Sequence, residues 1–166
     1  MKLEDRARAV ELILSDVDGV LTDGGLYYGA DGGVTKRFDV HDGHGLVTLR
    51  RAGYVLAFLS AETSPAVEAR ARKLGVEEVR QGVAEKAQAL DALARKHGAA
   101  PDAILYMGDD EVDLAPMAKA GVAVAVAGAV PAVRAAADYV TERPGGRGAA
   151  REVAEMLLSS RPAAAR

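Results

Sequence analysis

Short, continuous apolar runs, each closed by polar residues and followed by helix-patterned sequence, constrain this chain more than any other feature. Leu12-Ile13-Leu14 precedes Ser15-Asp16, residues 54–59 end at Ser60, residues 103–107 end at Gly108-Asp109, and residues 122–126 form a further run. Shorter runs lie at Glu78-Val79-Arg80 and Asp138-Tyr139-Val140. A strand with one wet face alternates apolar and polar residues; these do not, so the sheet is covered on both faces. Between them, Ser64 caps a helix that starts at Pro65 and runs to Leu74,. Residues 84–97 read as a helix ending at Gly98, residues 110–120 as one ending at Gly121, and residues 148–158 as the last,. Strands that alternate with helices give a parallel sheet with right-handed crossovers. The expected fold is a three-layer α/β/α, Rossmann-like parallel sheet. Aromatics make up only 4% of the chain, so Ala, Val and Leu must build its core.

One segment breaks the alternation. Between the first strand and the next helix, residues 22–44 are rich in Gly and Asp. Leu26-Tyr27-Tyr28 and residues 34–38 flank Gly29-Ala30-Asp31-Gly32-Gly33, which predicts a β-hairpin inserted at about residues 23–40,. It should project from the C-terminal edge of the sheet, where ligands bind in open α/β folds. The length of 166 residues suits one domain, read as residues 1–160 with a disordered tail at 161–166,. Net charge is −3 and no long basic stretch occurs, so nucleic acid is not an expected partner,. Cysteine is absent, which removes disulfides and thiolate metal sites and fits the cytoplasm,. The longest apolar stretch, residues 120–130, holds two Gly and is too short to cross a bilayer, so no membrane partner is expected,.

The strand ends carry the chemistry. Asp16 and Asp18 are two residues apart on a strand that turns at Gly19, and two neighbouring carboxylates need a cation or a shared proton,. Gly108-Asp109-Asp110 with Asp113 closes the fourth long run. Capping explains Asp110, and the helix dipole favours Asp113, but neither explains Asp109. If the first and fourth strands are neighbours, these carboxylates converge, and an all-oxygen site suits Mg²⁺. Ser60 is a polar residue at the same edge; its plain reading is a loop hydroxyl. Lys86 opens a helix, where the dipole disfavours a cation, so it is either a surface Lys or aimed at a negative partner,. His41 and His44 read as loop residues, and His97 as a complement to a helix C-terminus,.

Taken in order, Asp-x-Asp-Gly, Ser, Lys and Gly-Asp-Asp-x-x-Asp resemble the four motifs of the haloacid dehalogenase superfamily of phosphatases. The resemblance implies that Asp16 is the nucleophile and that Asp18 protonates the leaving alcohol and then activates water. It implies Mg²⁺ held by Asp16, the main-chain carbonyl of Asp18, and Asp109. Ser60 and Lys86 would bind the phosphoryl group. Asp110 and Asp113 would complete the metal shell through water or hold Lys86. No cap-sized insertion is present, as in the capless subclass. Residues 16–24, the Tyr-bearing hairpin, Lys36-Arg37-Phe38, Asp42-Gly43, Gln81-Gly82 and residues 145–152 look like its phosphatases of 3-deoxy-2-ulosonic acid phosphates. Those are homotetramers acting on small phosphorylated sugar acids. Two departures stand out. The octulosonate (KDO) 8-phosphate enzymes carry Gly-Arg after the motif-two hydroxyl, and this chain has Ala61-Glu62. Their usual Arg before Asp-Gly is His41 here. Ser60-Ala-Glu-Thr63, with Arg70 and Lys73 beyond it, is more similar to relatives acting on nine-carbon 9-phosphates. Glu62, Arg70, Lys73 and Arg147 are therefore the substrate-binding candidates. The alternatives are another small phosphorylated metabolite, a phospho-receiver domain, or a non-catalytic assembly domain.

Overall fold

The computed structural model describes residues 2–161. Six parallel strands form one sheet: β1 (Leu12–Asp16), β4 (Val55–Leu59), β5 (Glu78–Arg80), β6 (Ile104–Gly108), β7 (Val122–Ala125) and β8 (Tyr139–Val140), in the order β5-β4-β1-β6-β7-β8. All five residues of β1 are buried, as its unbroken apolar pattern requires of a central strand,. Chain order runs outward from β1 through β4 to β5, then restarts at β6 on the other side of β1. The pair β1–β6 is therefore the topological switch point, and a crevice opens at its carboxyl end.

Right-handed crossovers in opposite directions put the helices on opposite faces. On one face α2 (Val40–Arg51) packs on α3 (Pro65–Leu74) and α7 (Ala149–Ser160), and α7 packs on α1 (Leu3–Ala9). On the other, α4 (Lys86–His97), α5 (Leu114–Met117) and α6 (Pro131–Ala136) follow one another. The hairpin, β2 (Tyr27–Tyr28) with β3 (Val34–Thr35), pairs Tyr27 with Thr35 and Tyr28 with Val34.

Several elements differ from the sequence reading. The N-terminal residues, mostly charged and Ala, form α1; Arg6 ties it down by donating to the Gly121 carbonyl and pairing with Asp138 at 2.7 Å. Helix α2 starts at Val40 rather than after His44, because Asp39 caps it by accepting from the His41 and Asp42 amides,. Residues 110–120 are not one helix. Asp110 and Asp113 form a capping box around a 3₁₀ turn, and Pro116, which has no N–H to donate, sits inside the four-residue α5,. Helix α7 extends through Ser159 and Ser160, and the Arg161 guanidinium lies 4.0 Å from the centre of the Tyr54 ring. The expected tail therefore does not begin at 161, and its remaining residues, 162–166, lie outside the described residues. Residues 36–38 leave the hairpin pairing, and Phe38 instead bridges Thr22.

Helix α7 has no side-chain cap of its own; Asp42, buried in α2, supplies one from a distance. Its carboxylate accepts from the Gly148 amide at 3.2 Å and the Arg151 amide at 2.9 Å. Replacing Asp42 by Ala should strand these two donors and lower stability by roughly 1–3 kcal/mol. Urea unfolding measures this, and a midpoint equal to wild type would contradict it.

Candidate active site

Strands β1 and β6 run in register, with Ser15 opposite Met107, so both chains leave the sheet at one level. Asp16, Asp109 and Asp113 meet there, each offering an oxygen within 4.8 Å of the others. Lys86, the first residue of α4, crosses beneath them. Its Nζ lies 2.9 Å from Asp16 and 2.8 Å from Asp113, with the side chain almost wholly buried. The dipole argument at this position thus resolves in favour of a negative partner. Asp113 is fully buried and accepts from Lys86, the Tyr106 hydroxyl at 2.7 Å, and the Asp109 and Asp110 amides. Tyr106 reads as a core aromatic in the sequence; only its place beside Asp113 reveals a polar role. Asp110 is exposed and spends its side chain on the Glu111 amide, as the capping reading has it.

The loop after β1 is built on Thr22, whose hydroxyl oxygen accepts from the Gly19 and Gly24 amides. Gly19 has φ +84°, and a Cβ there would stand 2.0 Å from the Asp109 carboxylate,. On the far side, a Cβ on Gly145 would stand 1.7 Å from the Gly19 carbonyl oxygen. The Gly-rich segment ahead of α7 thereby backs the loop that carries Asp18. Asp18 is not in the acidic group. Its two oxygens accept from Lys36 Nζ at 2.6 and 2.7 Å. Residue-type reasoning does not single out Lys36, since its partner is fixed only once the hairpin folds back over the loop.

Ser60 is buried where β4 ends beside β1, and its hydroxyl oxygen accepts from the Glu62 amide at 3.1 Å. A cavity of ≈330 Å³ opens alongside, with Asp18, Lys36, Glu62 and Tyr28 in its wall. Arg70, Lys73 and Arg147 are not in that wall. The Arg70 guanidinium donates to the Asp39 carbonyl at 2.6 Å and stacks over Phe38. Lys73 is exposed on α3, and Arg147 is exposed with Asp23 as partner at 3.5 Å. Of the four substrate-binding candidates, the cavity wall therefore holds Glu62 alone.

Burial, then the charge of Asp113, pushes Asp16 up to about 6, against the opposing pull of Lys86. Burial, Asp16 and Asp113 push Asp109 up to about 7. One ammonium faces three carboxylates, so the cluster holds uncompensated negative charge. Oxygen donors with such a deficit fit a hard divalent cation. Asp113 already has four donors, which leaves Asp16 and Asp109 as the carboxylates free to hold it.

A carboxyl group whose folded pKa is raised contributes stability at low pH and loses it as pH climbs through the folded value. The metal-free protein should therefore lose stability between about pH 4 and pH 7,. Mg²⁺ should raise the melting temperature more at pH 8 than at pH 5.5, and Asp109→Asn should remove the rise. Thermal unfolding with Mg²⁺ or a chelator tests this; an equal rise at both pH values would count against the pair as ligands.

Residues 59–152 match the haloacid dehalogenase-like hydrolases. The chain is 40% identical over 153 residues to the 3-deoxy-D-manno-octulosonate 8-phosphate phosphatase of Escherichia coli K12, covering 92% of this chain and 81% of that protein. A phosphatase of the same name from Moraxella catarrhalis, solved with magnesium, phosphate and KDO, superposes with a TM-score of 0.93 at 38% identity, over 95% of this chain and 91% of that one. The cobalt-bound Haemophilus influenzae phosphatase gives a TM-score of 0.90 at 39% identity, over 93% of this chain and 91% of that one. With the acidic cluster, its Lys and the buried Ser all at the carboxyl end of one parallel sheet, the chain belongs to the haloacid dehalogenase-like hydrolases.

Proposed function

We propose that this protein is a magnesium-dependent phosphomonoester hydrolase acting through an aspartyl-phosphate on a phosphorylated 3-deoxy-2-ulosonic acid. The observation that carries the reading is Asp16: a buried carboxylate at the end of the central strand, with Lys86 at 2.9 Å and Asp109 across from it. Bound Mg²⁺, held by Asp16, Asp109 and the Asp18 carbonyl, would screen the repulsion between this carboxylate and a phosphate dianion. An Asp16 oxygen forms the bond to phosphorus as the bond to the sugar oxygen breaks. Lys86 stabilises charge on the transferring group. Ser60 accepts from the Glu62 amide, which leaves its own proton free to donate to a phosphoryl oxygen,. Asp18 gives its proton to the leaving alcohol and regains one from the water that hydrolyses the aspartyl-phosphate.

The relatives' activity favours KDO 8-phosphate as substrate. Glu62 favours a second reading, a nine-carbon 9-phosphate, because a carboxylate in the cavity wall accepts from the additional hydroxyl or amide donors of the longer sugar,. A sugar-acid phosphate, with a phosphate dianion and a carboxylate, does not cross a bilayer unaided, so the enzyme would work where its substrate is made, which we take to be the cytoplasm.

A phosphate-release assay over eight- and nine-carbon ulosonate phosphates, with hexose phosphates as controls, tests the substrate class. Asp16→Asn should cost roughly 10⁴-fold or more in turnover. Glu62→Arg should move the ratio of kcat/KM toward the eight-carbon ester by about tenfold or more. Equal rates on all esters would overturn the substrate class, and an active Asp16→Asn protein would overturn the nucleophile.

We also infer a homotetramer, as the family resemblance implies: Tyr27 is exposed on the hairpin face turned away from the cavity, where a second copy of the chain would cover it,. Light scattering at micromolar concentration should give four times the chain mass; a monomer would refute the assembly without touching the chemistry.

A further inference from the structure

Lys36 has an unusual setting for a lysine on a hairpin. Its side chain is only 4% exposed, and its ammonium contacts both oxygens of Asp18 at 2.6 and 2.7 Å. The three residues after it are anchored to the body of the protein. Arg37 donates to the Gly146 carbonyl at 2.7 Å, Phe38 bridges Thr22, and Arg70 covers Phe38 while donating to the Asp39 carbonyl. The ammonium is therefore placed by the hairpin base, not by a free chain end. Asp18 has no other side-chain partner among the described residues.

We propose that Lys36 is a positioning residue, which holds one oxygen of Asp18 so that the other can face the bridging oxygen of the phosphoester. This rests on the reading of Asp18 as acid and base. Proton transfer needs the carboxyl group within hydrogen-bond reach of the leaving oxygen. A carboxylate on a two-bond side chain beside a Gly-rich loop has several rotamers, and a single pinned oxygen selects one. When the ester binds, one oxygen leaves Lys36 for the bridging oxygen and the other stays. Asp18 enters the step protonated on the oxygen that Lys36 has released, with the proton it took from the hydrolytic water of the preceding turnover; that proton passes to the departing alcohol, and Lys36 keeps its own protons throughout. The hairpin then does more than cover the cavity: it delivers a group on which the first chemical step depends.

The test compares kcat/KM for KDO 8-phosphate and p-nitrophenyl phosphate in the Mg²⁺-loaded enzyme. An alkyl alcohol needs a proton to leave, whereas p-nitrophenolate is a weak base and departs without one. Lys36→Met should lower kcat/KM about 10²-fold on the sugar phosphate and at least tenfold less on the aryl phosphate. Added to Asp18→Asn, it should cost almost nothing further, because its effect passes through Asp18. Lys36→Arg should recover most of the loss. Lys36→Gln serves as a second variant if the Met variant melts early. Equal losses on both esters, or additive losses with Asp18→Asn, would overturn the proposal. So would a rise in KM for the sugar phosphate alone, which would make Lys36 a reader of the sugar acid's carboxylate. A wild-type enzyme that cleaves the aryl ester but no ulosonate phosphate would sink the substrate reading only. β-Glycerophosphate then takes the alkyl ester's place and still decides the role of Lys36.

Discussion

The site depends on a lysine ammonium buried between two carboxylates. Lys86 enters at the start of α4, with the helix dipole against it, and is held by Asp16 and Asp113,. Burial alone would drive the ammonium to lose its proton; the two carboxylates outweigh that and hold its pKa above the usual lysine range,. Removing either carboxylate would leave charge buried without compensation, which costs more than the pair itself contributes. Asp113 spreads the constraint. Through Tyr106 it touches β6, through two amides it shapes the 3₁₀ turn, and through Lys86 it fixes α4. Three elements are therefore set by one carboxylate that the solvent does not reach.

Around this knot the site divides into two charge zones. The inner zone holds three carboxylates and one ammonium and is left negative. The outer zone pairs Asp18 with Lys36 and is balanced. The proposed nucleophile thus sits where a metal must supply charge, and the proposed acid sits where the protein supplies it. What separates the zones is backbone: Gly19 fits between the Asp109 carboxylate on one side and Gly145 on the other, with no room for a side chain at either glycine. A segment more than a hundred residues downstream thereby sets how closely the two zones approach.

The sheet was legible because burial on both faces removes the polar alternation, and every strand run marks a real strand. The convergence of Asp16 and Asp109 was legible because strand ends project into one crevice, whereas Ser60 and Lys86, each also readable as an ordinary loop or surface residue, were singled out only by the resemblance. What stayed hidden depends on contacts between distant segments. Nothing local in Asp42 announces that it caps α7, and nothing in Arg70 announces that its partners are Phe38 and the Asp39 carbonyl. The helix expected over residues 110–120 failed for a local reason. Asp110 and Asp113 close a tight 3₁₀ turn between them, and Pro116 leaves room for only a short helical segment after it,.

The hairpin shows how a two-residue period can separate two demands. Leu26, Tyr28, Val34 and Lys36 all contribute to the cavity wall, whereas Tyr27 and Thr35, which pair across the strands, do not. Side chains alternate on a strand, so one face of the hairpin looks into the cavity and the other looks away. The two adjacent tyrosines are both exposed, but for different reasons. Tyr28 is exposed as part of an open wall that a bound sugar would cover. Tyr27 is on the opposite face, where only another protein surface could cover it. A one-residue slip in the pairing would exchange these roles and carry Lys36 to the outer face, away from Asp18. The turn guards against that slip: the Gly29 amide donates to the Gly33 carbonyl at 2.8 Å, and Asp31 accepts from the Gly33 amide. The register of a hairpin with two residues in each strand is thus what joins the cavity wall, the outward aromatic and the ammonium on Asp18.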